Sequence, residues 1–241
     1  MRPRAAWLVA FSLALSATAA CGPTQQDAGC GNAEPCARSR PILRGDVVNA
    51  RDLGGVPLAP SAAVACGAIF RGPPLSALTP PGCADAAGLG LRTILDLRTD
   101  GERTSQPDDA CVGAQVVAAP LPIPYALDTA AYLADFDSDD SIARVFHTLA
   151  DDAAYPIYFH CTYGRDRTGV VAAAVLLALG ASRADVVTEY SLSASTVGAW
   201  PRSLEGLLDE IDARGGIEAA LAAKGVTAED LAALRARVTA R

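Results

Sequence analysis

The sequence predicts an α/β fold in which a central, mostly parallel sheet is flanked by helices and followed by a helical C-terminal part. Short apolar runs of strand character alternate with helical patterns through the middle of the chain. The C-terminal part carries only helical patterns, interrupted by glycines. A composition that is 51% hydrophobic and 5% aromatic suits a helix-rich α/β protein with a real core.

The elements follow from apolar runs and punctuating residues. Strands are predicted at 64–70 (followed by a turn at 71–72), 92–97, 114–119 and 155–160. Helices are predicted at 79–88, 141–149, 170–179, 182–192, 203–214, 216–224 and 227–239. Residues 98–103 are expected to form a polar loop, and 128–140 is acidic without clear periodicity. In the helix at 141–149, one face carries Ile142, Val145, Phe146 and Leu149, and His147 lies off that stripe.

The N-terminus predicts export. Two arginines, a short apolar run and small residues up to Ala20 indicate a signal peptide at 1–20, before a flexible tether at 21–41 and one domain at 42–241. Cys21 stands where bacterial lipoprotein signals carry the lipidated cysteine, and this resemblance implies a membrane tether. Ordinary cleavage near Ala19 or Ala20 is the alternative. We expect a periplasmic or extracellular protein, anchored to the membrane as a lipoprotein.

Charge and cysteine content indicate which binding partners, metal sites and disulfides are expected. A net charge of −7 without a basic run argues against nucleic acid. No Cys-x2-Cys pair or histidine cluster suggests a metal site, since the sequence has two histidines. An oxidising compartment allows disulfides. Cys30 and Cys36 could close a small loop, and two of Cys66, Cys83 and Cys111 could pair.

The reactive residues are concentrated in 160–169, with the sequence HCTYGRDRTG. An apolar run precedes this segment and another follows it, so it should join the end of a buried strand to the start of a buried helix. Backbone N–H groups and the helix dipole favour negative charge at such a junction. A Cys161 thiol ionises more easily there, and the thiolate is a nucleophile. The planar guanidinium of Arg167 suits two phosphate oxygens.

This segment resembles the phosphate-binding loop of cysteine-dependent protein tyrosine and dual-specificity phosphatases. It is most similar to a bacterial branch with the loop His-Cys-x-x-Gly-Lys-Asp-Arg-Thr-Gly, some members of which accept phosphoinositides; Arg165 replaces the lysine. The stretch Asn49–Gly55 and the Ile-Leu-Asp-Leu-Arg-x-x-x-Glu pattern ending at Glu102 also resemble this branch. The resemblance spans roughly residues 42–240 and implies a tyrosine phosphatase-like catalytic domain in which Arg51 and Asp52 brace or flank the site.

The resemblance implies phosphomonoester hydrolysis through a phosphocysteine, without metal or organic cofactor. In this scheme Cys161 is the nucleophile, His160 tunes the thiol, and Thr168 hydrogen-bonds the sulfur or helps to expel it. The oxygens of phosphate would bind Arg167 and the loop backbone. The other loop residues expected to bind substrate are Thr162, Tyr163, Gly164 and Arg165.

Several carboxylates compete for the role of general acid. Asp166, inside the loop, is the first choice by resemblance, and Asp96, at the end of a central strand, is the second. An acid on a mobile lid is a further alternative, with candidates Asp135, Asp137, Asp139 and Asp140. For those four residues we prefer a solvated run of charge.

The substrate is expected to be a phosphotyrosine protein or peptide, or a phosphoinositide. Arg165 could reach a second phosphate, or it could only pair with a nearby carboxylate. Two other functions remain open: a phosphate-binding module without turnover, and a thiol-redox or sulfur-transfer enzyme.

Overall fold

The computed structural model describes residues 36, 42–43, 47–76, 78–108, 110–122 and 127–240. Its strands are β1 (Arg51–Asp52), β2 (Pro57–Leu58), β3 (Ala62–Val64), β4 (Ile69–Gly72), β5 (Thr93–Asp96), β6 (Gln115–Ala118), β7 (Ile157–His160) and β8 (Thr239–Ala240). Its α-helices are α1 (Pro80–Leu89), α2 (Asp100–Ser105), α3 (Thr129–Phe136), α4 (Asp139–Ala150), α5 (Asp166–Leu179), α6 (Arg183–Ser191), α7 (Pro201–Ala213), α8 (Ile217–Ala222) and α9 (Ala228–Val238).

The central sheet confirms the predicted fold class. It has five strands in the order β1-β4-β7-β5-β6, in which β4, β7, β5 and β6 are parallel and β1 is antiparallel to β4. All four residues of β7 are buried, as expected of a central strand. At its carboxyl end, His160 lies between Gly72 of β4 and Asp96 of β5. The residues that follow these three strands therefore meet at one edge of the sheet.

A second, three-stranded antiparallel sheet in the order β2-β3-β8 corrects one strand prediction. Residues 64–70 do not form one strand, and residues 71–72, predicted as a turn, belong to β4. Val64 ends β3 in the small sheet, and Ile69 begins β4 in the central sheet. The chain changes direction between them at Gly67, whose φ of +73° belongs to the left-handed region that favours glycine.

The helical predictions are confirmed where the apolar spacing is regular. In α4 the buried residues are Ile142, Val145, Phe146 and Leu149, the predicted stripe. The helix α5 is buried along nearly its whole length and ends at Gly180, which adopts the left-handed conformation typical of a helix C-terminus. Helices α6 to α9 occupy the predicted C-terminal part.

Two segments predicted as irregular contain helices. Residues 98–103 include the start of α2, which a capping box between Thr99 and Glu102 stabilises. The acidic segment 128–140 contains α3, capped by the side chain of Asp128. In α3, Tyr132 and Phe136 stand four residues apart and are both fully buried, so that one apolar face stabilises the helix despite its acidic flanks.

The cysteines pair differently from one expectation. Disulfides join Cys36 to Cys66 and Cys83 to Cys111. Cys36 therefore does not close a small loop with Cys30. The prediction that two of Cys66, Cys83 and Cys111 pair with each other is confirmed, because Cys83 is bonded to Cys111.

The predicted export signal lies outside the described residues, as does most of the predicted tether, including Cys21 and Cys30. Within the described part of the chain, no helix has both the length and the apolar character needed to cross a membrane.

Candidate active site

The predicted loop lies at the carboxyl end of β7 and leads directly into α5. Strand β7 ends at His160 and α5 begins at Asp166, so Cys161 stands at the strand end and Arg167 in the first helical turn. Cys161 is 3% exposed and is the free cysteine of the described residues. Gly164 has a φ of +65°, and a Cβ atom there would lie 2.3 Å from the carbonyl carbon of Gly72. The loop therefore packs against β4 in a conformation that only glycine fits.

Side chains outside the loop bind its carbonyl oxygens. Asn49 Nδ2 donates to the carbonyls of Tyr163 and Gly164, at 3.0 Å and 3.1 Å. Arg71 Nη2 donates to the Gly164 carbonyl at 2.8 Å. Carbonyls that bind donors from behind are typical of a loop whose N–H groups converge on an anion.

A buried ion-pair network stands behind these contacts. Glu189 accepts from Arg51 Nε at 2.7 Å and from Arg71 Nη1 at 2.6 Å. All three residues are at most 4% exposed. Burial opposes the charge on Glu189, but the two arginines outweigh it and hold the pKa of Glu189 below its ordinary value. Burial, together with repulsion from Arg51, lowers the pKa of Arg71 to about 10.

A glutamate fixes the orientation of Arg167. Its Nη1 and Nη2 atoms each donate to one oxygen of Glu102 at 2.8 Å, and Nη2 also donates to Thr162 Oγ1 at 2.9 Å. Hydrogen bonds from Arg167 are the main reason that the pKa of Glu102 lies well below its ordinary value. The sequence placed Glu102 in a family pattern without giving it a role. The Thr99-x-x-Glu102 capping box was the signal that this segment is a fixed helix start.

Asp96 reaches the predicted edge of the sheet, where both of its oxygens accept from Arg98, at 2.7–3.2 Å. Arg98 Nη2 also contacts Asp108 Oδ2 at 3.1 Å. His160 Nε2 lies 3.1 Å from that same Asp108 oxygen, without the alignment of a full hydrogen bond. Burial raises the pKa of Asp108, but His160 and the other donors outweigh it and leave that pKa below its ordinary value.

Asp96, Asp108 and His160 are close enough together to hold a metal ion. The Arg98 guanidinium already contacts both carboxylates. The cluster is therefore a charge-compensated network that supports the residue preceding the thiol.

Arg165 pairs with its neighbour in the sequence. Its Nε and Nη2 atoms donate to Asp166 at 2.8–3.0 Å, and Nη1 donates to the Val197 carbonyl. The guanidinium lies 4.0 Å from the centre of the Trp200 ring and is almost fully buried. Of the two roles considered for Arg165, the structure contains the pairing with a carboxylate. Beside it lies an open pocket of about 400 Å³, whose lining includes the half-exposed side chains of Leu127 and Tyr163.

The acidic segment is largely helical, and two of its carboxylates form ion pairs. Asp137 binds Arg214 and Lys224, and Asp139 binds Lys224. The hydrogen bond from Arg214 is the main reason that the pKa of Asp137 is lowered. Asp135 differs from this surface pattern because it is fully buried. The preferred interpretation as a solvated run of charge is therefore wrong for Asp135.

Comparison with known proteins decides the family. The sequence model of the tyrosine phosphatase family matches residues 44–240. The chain belongs to the tyrosine phosphatase family. This confirms the predicted resemblance to tyrosine phosphatases, and the assignment to the branch with a particular loop type stays a prediction.

Two curated members of the tyrosine phosphatase family are similar to the chain. It is 27% identical to a tyrosine-protein phosphatase of Nostoc commune over 170 residues, which cover 64% of this chain and 57% of that protein. It is 30% identical to one of Cupriavidus necator over 174 residues, which cover 60% of this chain and 59% of that protein. The matches thus span less than two thirds of either relative. A solved structure, the core catalytic domain of the PP-IP phosphatase SIW14 from S. cerevisiae, has a TM-score of 0.40 and 16% identity, covering 61% of this chain and 84% of that one.

Proposed function

We propose that this chain is a cysteine-dependent protein tyrosine phosphatase that hydrolyses phosphomonoesters through a phosphocysteine intermediate. One observation carries the proposal: the buried Cys161 thiol stands at the N-terminus of α5 inside a loop whose carbonyls are bound from behind. Such a site favours a phosphate dianion. Arg167, already oriented by Glu102, completes it.

The reaction has two displacements. In the first, Cys161 Sγ forms a bond to phosphorus while the bond to the leaving oxygen breaks, and a carboxylic acid protonates that oxygen. In the second, a water oxygen attacks phosphorus, the sulfur–phosphorus bond breaks, and the carboxylate takes the proton from water. Loop N–H groups and Arg167 stabilise the equatorial oxygens in both transition states. The Thr168 hydroxyl is buried and has no hydrogen-bond partner among the described residues, which leaves it free to bind the departing thiolate.

Asp166 is the proposed general acid, with Asp96 as the alternative. Asp166 is the first residue of α5 and adjoins Arg167, which places it inside the thiol loop. Each candidate is paired with an arginine, Asp166 with Arg165 and Asp96 with Arg98. Asp166→Asn and Asp96→Asn should be compared with aryl phosphates that carry good and poor leaving groups. Loss of the true acid lowers turnover mainly for the poor leaving group. If neither variant discriminates, both assignments are wrong.

For the substrate, we propose phosphotyrosine ahead of phosphoinositides. Arg165 is neutralised by Asp166, so it offers little to a second phosphate, and the neighbouring pocket has aromatic walls from Tyr163 and Trp200. A panel of phosphotyrosine and phosphoserine peptides and a phosphoinositide tests this order. A clear preference for the phosphoinositide would reverse it.

The decisive assay compares the wild type with Cys161→Ser, under conditions mild enough to keep the disulfides. Phosphate release by the wild type, and none by the variant, supports the proposed chemistry. Tight oxyanion binding without turnover by the wild type indicates a phosphate-binding module. Sulfur transfer from thiosulfate to cyanide that depends on Cys161 indicates the sulfur-transfer alternative.

We also propose that the protein is exported and tethered to the membrane through lipidated Cys21. The N-terminal sequence supports this, and two disulfides suit an oxidising compartment. Labelled fatty acid should enter the wild type expressed in a bacterial host but not Cys21→Ser. Equal labelling of the two, or none, contradicts the tether.

A further inference from the structure

Two buried tyrosines form a hydrogen-bonded chain behind Asp166. Tyr132 of α3 and Tyr190 of α6 are at most 1% exposed, and their hydroxyl oxygens are 2.6 Å apart. The Tyr132 hydroxyl donates to Asp166 Oδ1 at 2.6 Å. At the other end, the backbone N–H of Trp200 donates to the Tyr190 oxygen at 3.1 Å.

The protons of this chain can point in only one direction. The N–H of Trp200 donates and never accepts, so the Tyr190 oxygen accepts there. The carboxylate of Asp166 accepts, so the Tyr132 proton lies on that bond and the Tyr190 proton points to Tyr132. Burial raises the pKa of Tyr132 far above its ordinary value, so that the hydroxyl remains a donor across the working pH range.

We propose that Tyr132 is a positioning residue for Asp166, an inference that rests on the proposed function. Because Tyr132 donates to Oδ1 whether Asp166 is neutral or ionised, the bond persists through both displacements. It thereby reserves Oδ2 for the proton that moves to the leaving oxygen and, later, from water. Arg165 makes its shortest contact with Oδ2, at 2.8 Å, and as a cation it attracts the carboxylate more strongly than the neutral acid. Tyr132 is therefore the neutral donor whose hydrogen bond to Asp166 does not depend on the charge of the carboxyl group.

The test replaces the hydroxyl alone. Tyr132→Phe should lower kcat for phenyl phosphate, a poor leaving group, by about tenfold or more, while p-nitrophenyl phosphate changes by less than about twofold. The matched control is Tyr155→Phe, another buried tyrosine, whose hydroxyl donates to the Leu149 carbonyl at 2.6 Å. That variant loses one buried hydrogen bond away from the site and should change neither rate selectively.

A double-mutant cycle separates positioning from a structural role. In an Asp166→Asn background, Tyr132→Phe should have no further effect on phenyl phosphate, since the group through which it acts is gone. If Tyr132→Phe does not fold, Tyr190→Phe serves instead, with a smaller loss of the same leaving-group dependence.

Two results would overturn the inference alone: equal losses for both substrates, or a loss for phenyl phosphate that persists without Asp166. Absence of hydrolysis by the wild type would instead reject the proposed function, and this inference with it.

Discussion

Replacing Glu189 by alanine removes the shared acceptor of two buried arginines. Arg51 and Arg71 are 4% and 0% exposed, and without the carboxylate they face each other as unpaired like charges. Removing one partner of a buried ion pair typically lowers the free energy of unfolding by about 3–5 kcal/mol. Since domains are stable by about 5–15 kcal/mol, this loss is a large part of the total.

Equilibrium unfolding in urea measures this loss directly. The matched control is Glu218→Ala. The Glu218 side chain is 65% exposed and pairs with Arg235 at the surface, so its loss should change the unfolding free energy by less than about 0.5 kcal/mol. Because Arg71 also holds the Gly164 carbonyl, Glu189→Ala protein that folds should bind vanadate more weakly than the wild type. A destabilisation below about 1 kcal/mol, or an effect no larger than that of the control, would refute the assigned role of the network.

Three further changes have expected outcomes. Gly164→Ala should abolish phosphatase activity because the added Cβ collides with β4. The control Gly90→Ala also has a positive φ, +62°, but open space around it, so it should lose only about 1–2 kcal/mol of stability and keep its activity. Equal activity of the two variants would contradict this reasoning. Replacing Cys83 and Cys111 together by serine opens a link across 28 residues and should lower the urea-unfolding free energy by about 3–4 kcal/mol, and an unchanged midpoint would argue against the bond. The depressed pKa of Glu102 means that its pairing stabilises the fold above its ordinary pKa of 4.5 and that this contribution is lost as pH falls below it. Between pH ~6 and ~2, the free energy of unfolding should therefore fall less steeply with pH in Glu102→Gln than in the wild type. Identical slopes for the two proteins would exclude the effect.

The parts predicted from the sequence are those encoded by contiguous residues. The loop at 160–169 carries its strand end, thiol and arginine within ten positions, and the stripe of α4 needs only helical spacing. Glu189 and Tyr132 were missed because their partners lie far along the chain: Glu189 lies 138 residues from Arg51, and Tyr132 lies 34 residues from Asp166. Glutamates in helices are usually exposed to solvent, and only the tertiary structure shows that Glu189 is buried.

Most of the charges around the thiol loop are compensated within the protein. Arg167 binds Glu102, Arg165 binds Asp166, and Arg51 and Arg71 share Glu189. Compensation on this scale leaves little net positive charge with which to attract a phosphate dianion from a distance. In the proposed function, affinity for phosphate therefore comes mainly from fixed dipoles, namely the loop N–H groups and the start of α5, together with donors of Arg167 not directed at Glu102. In the proposed reaction the carboxylates stabilise transition-state charge indirectly, because they hold each guanidinium in place before substrate arrives.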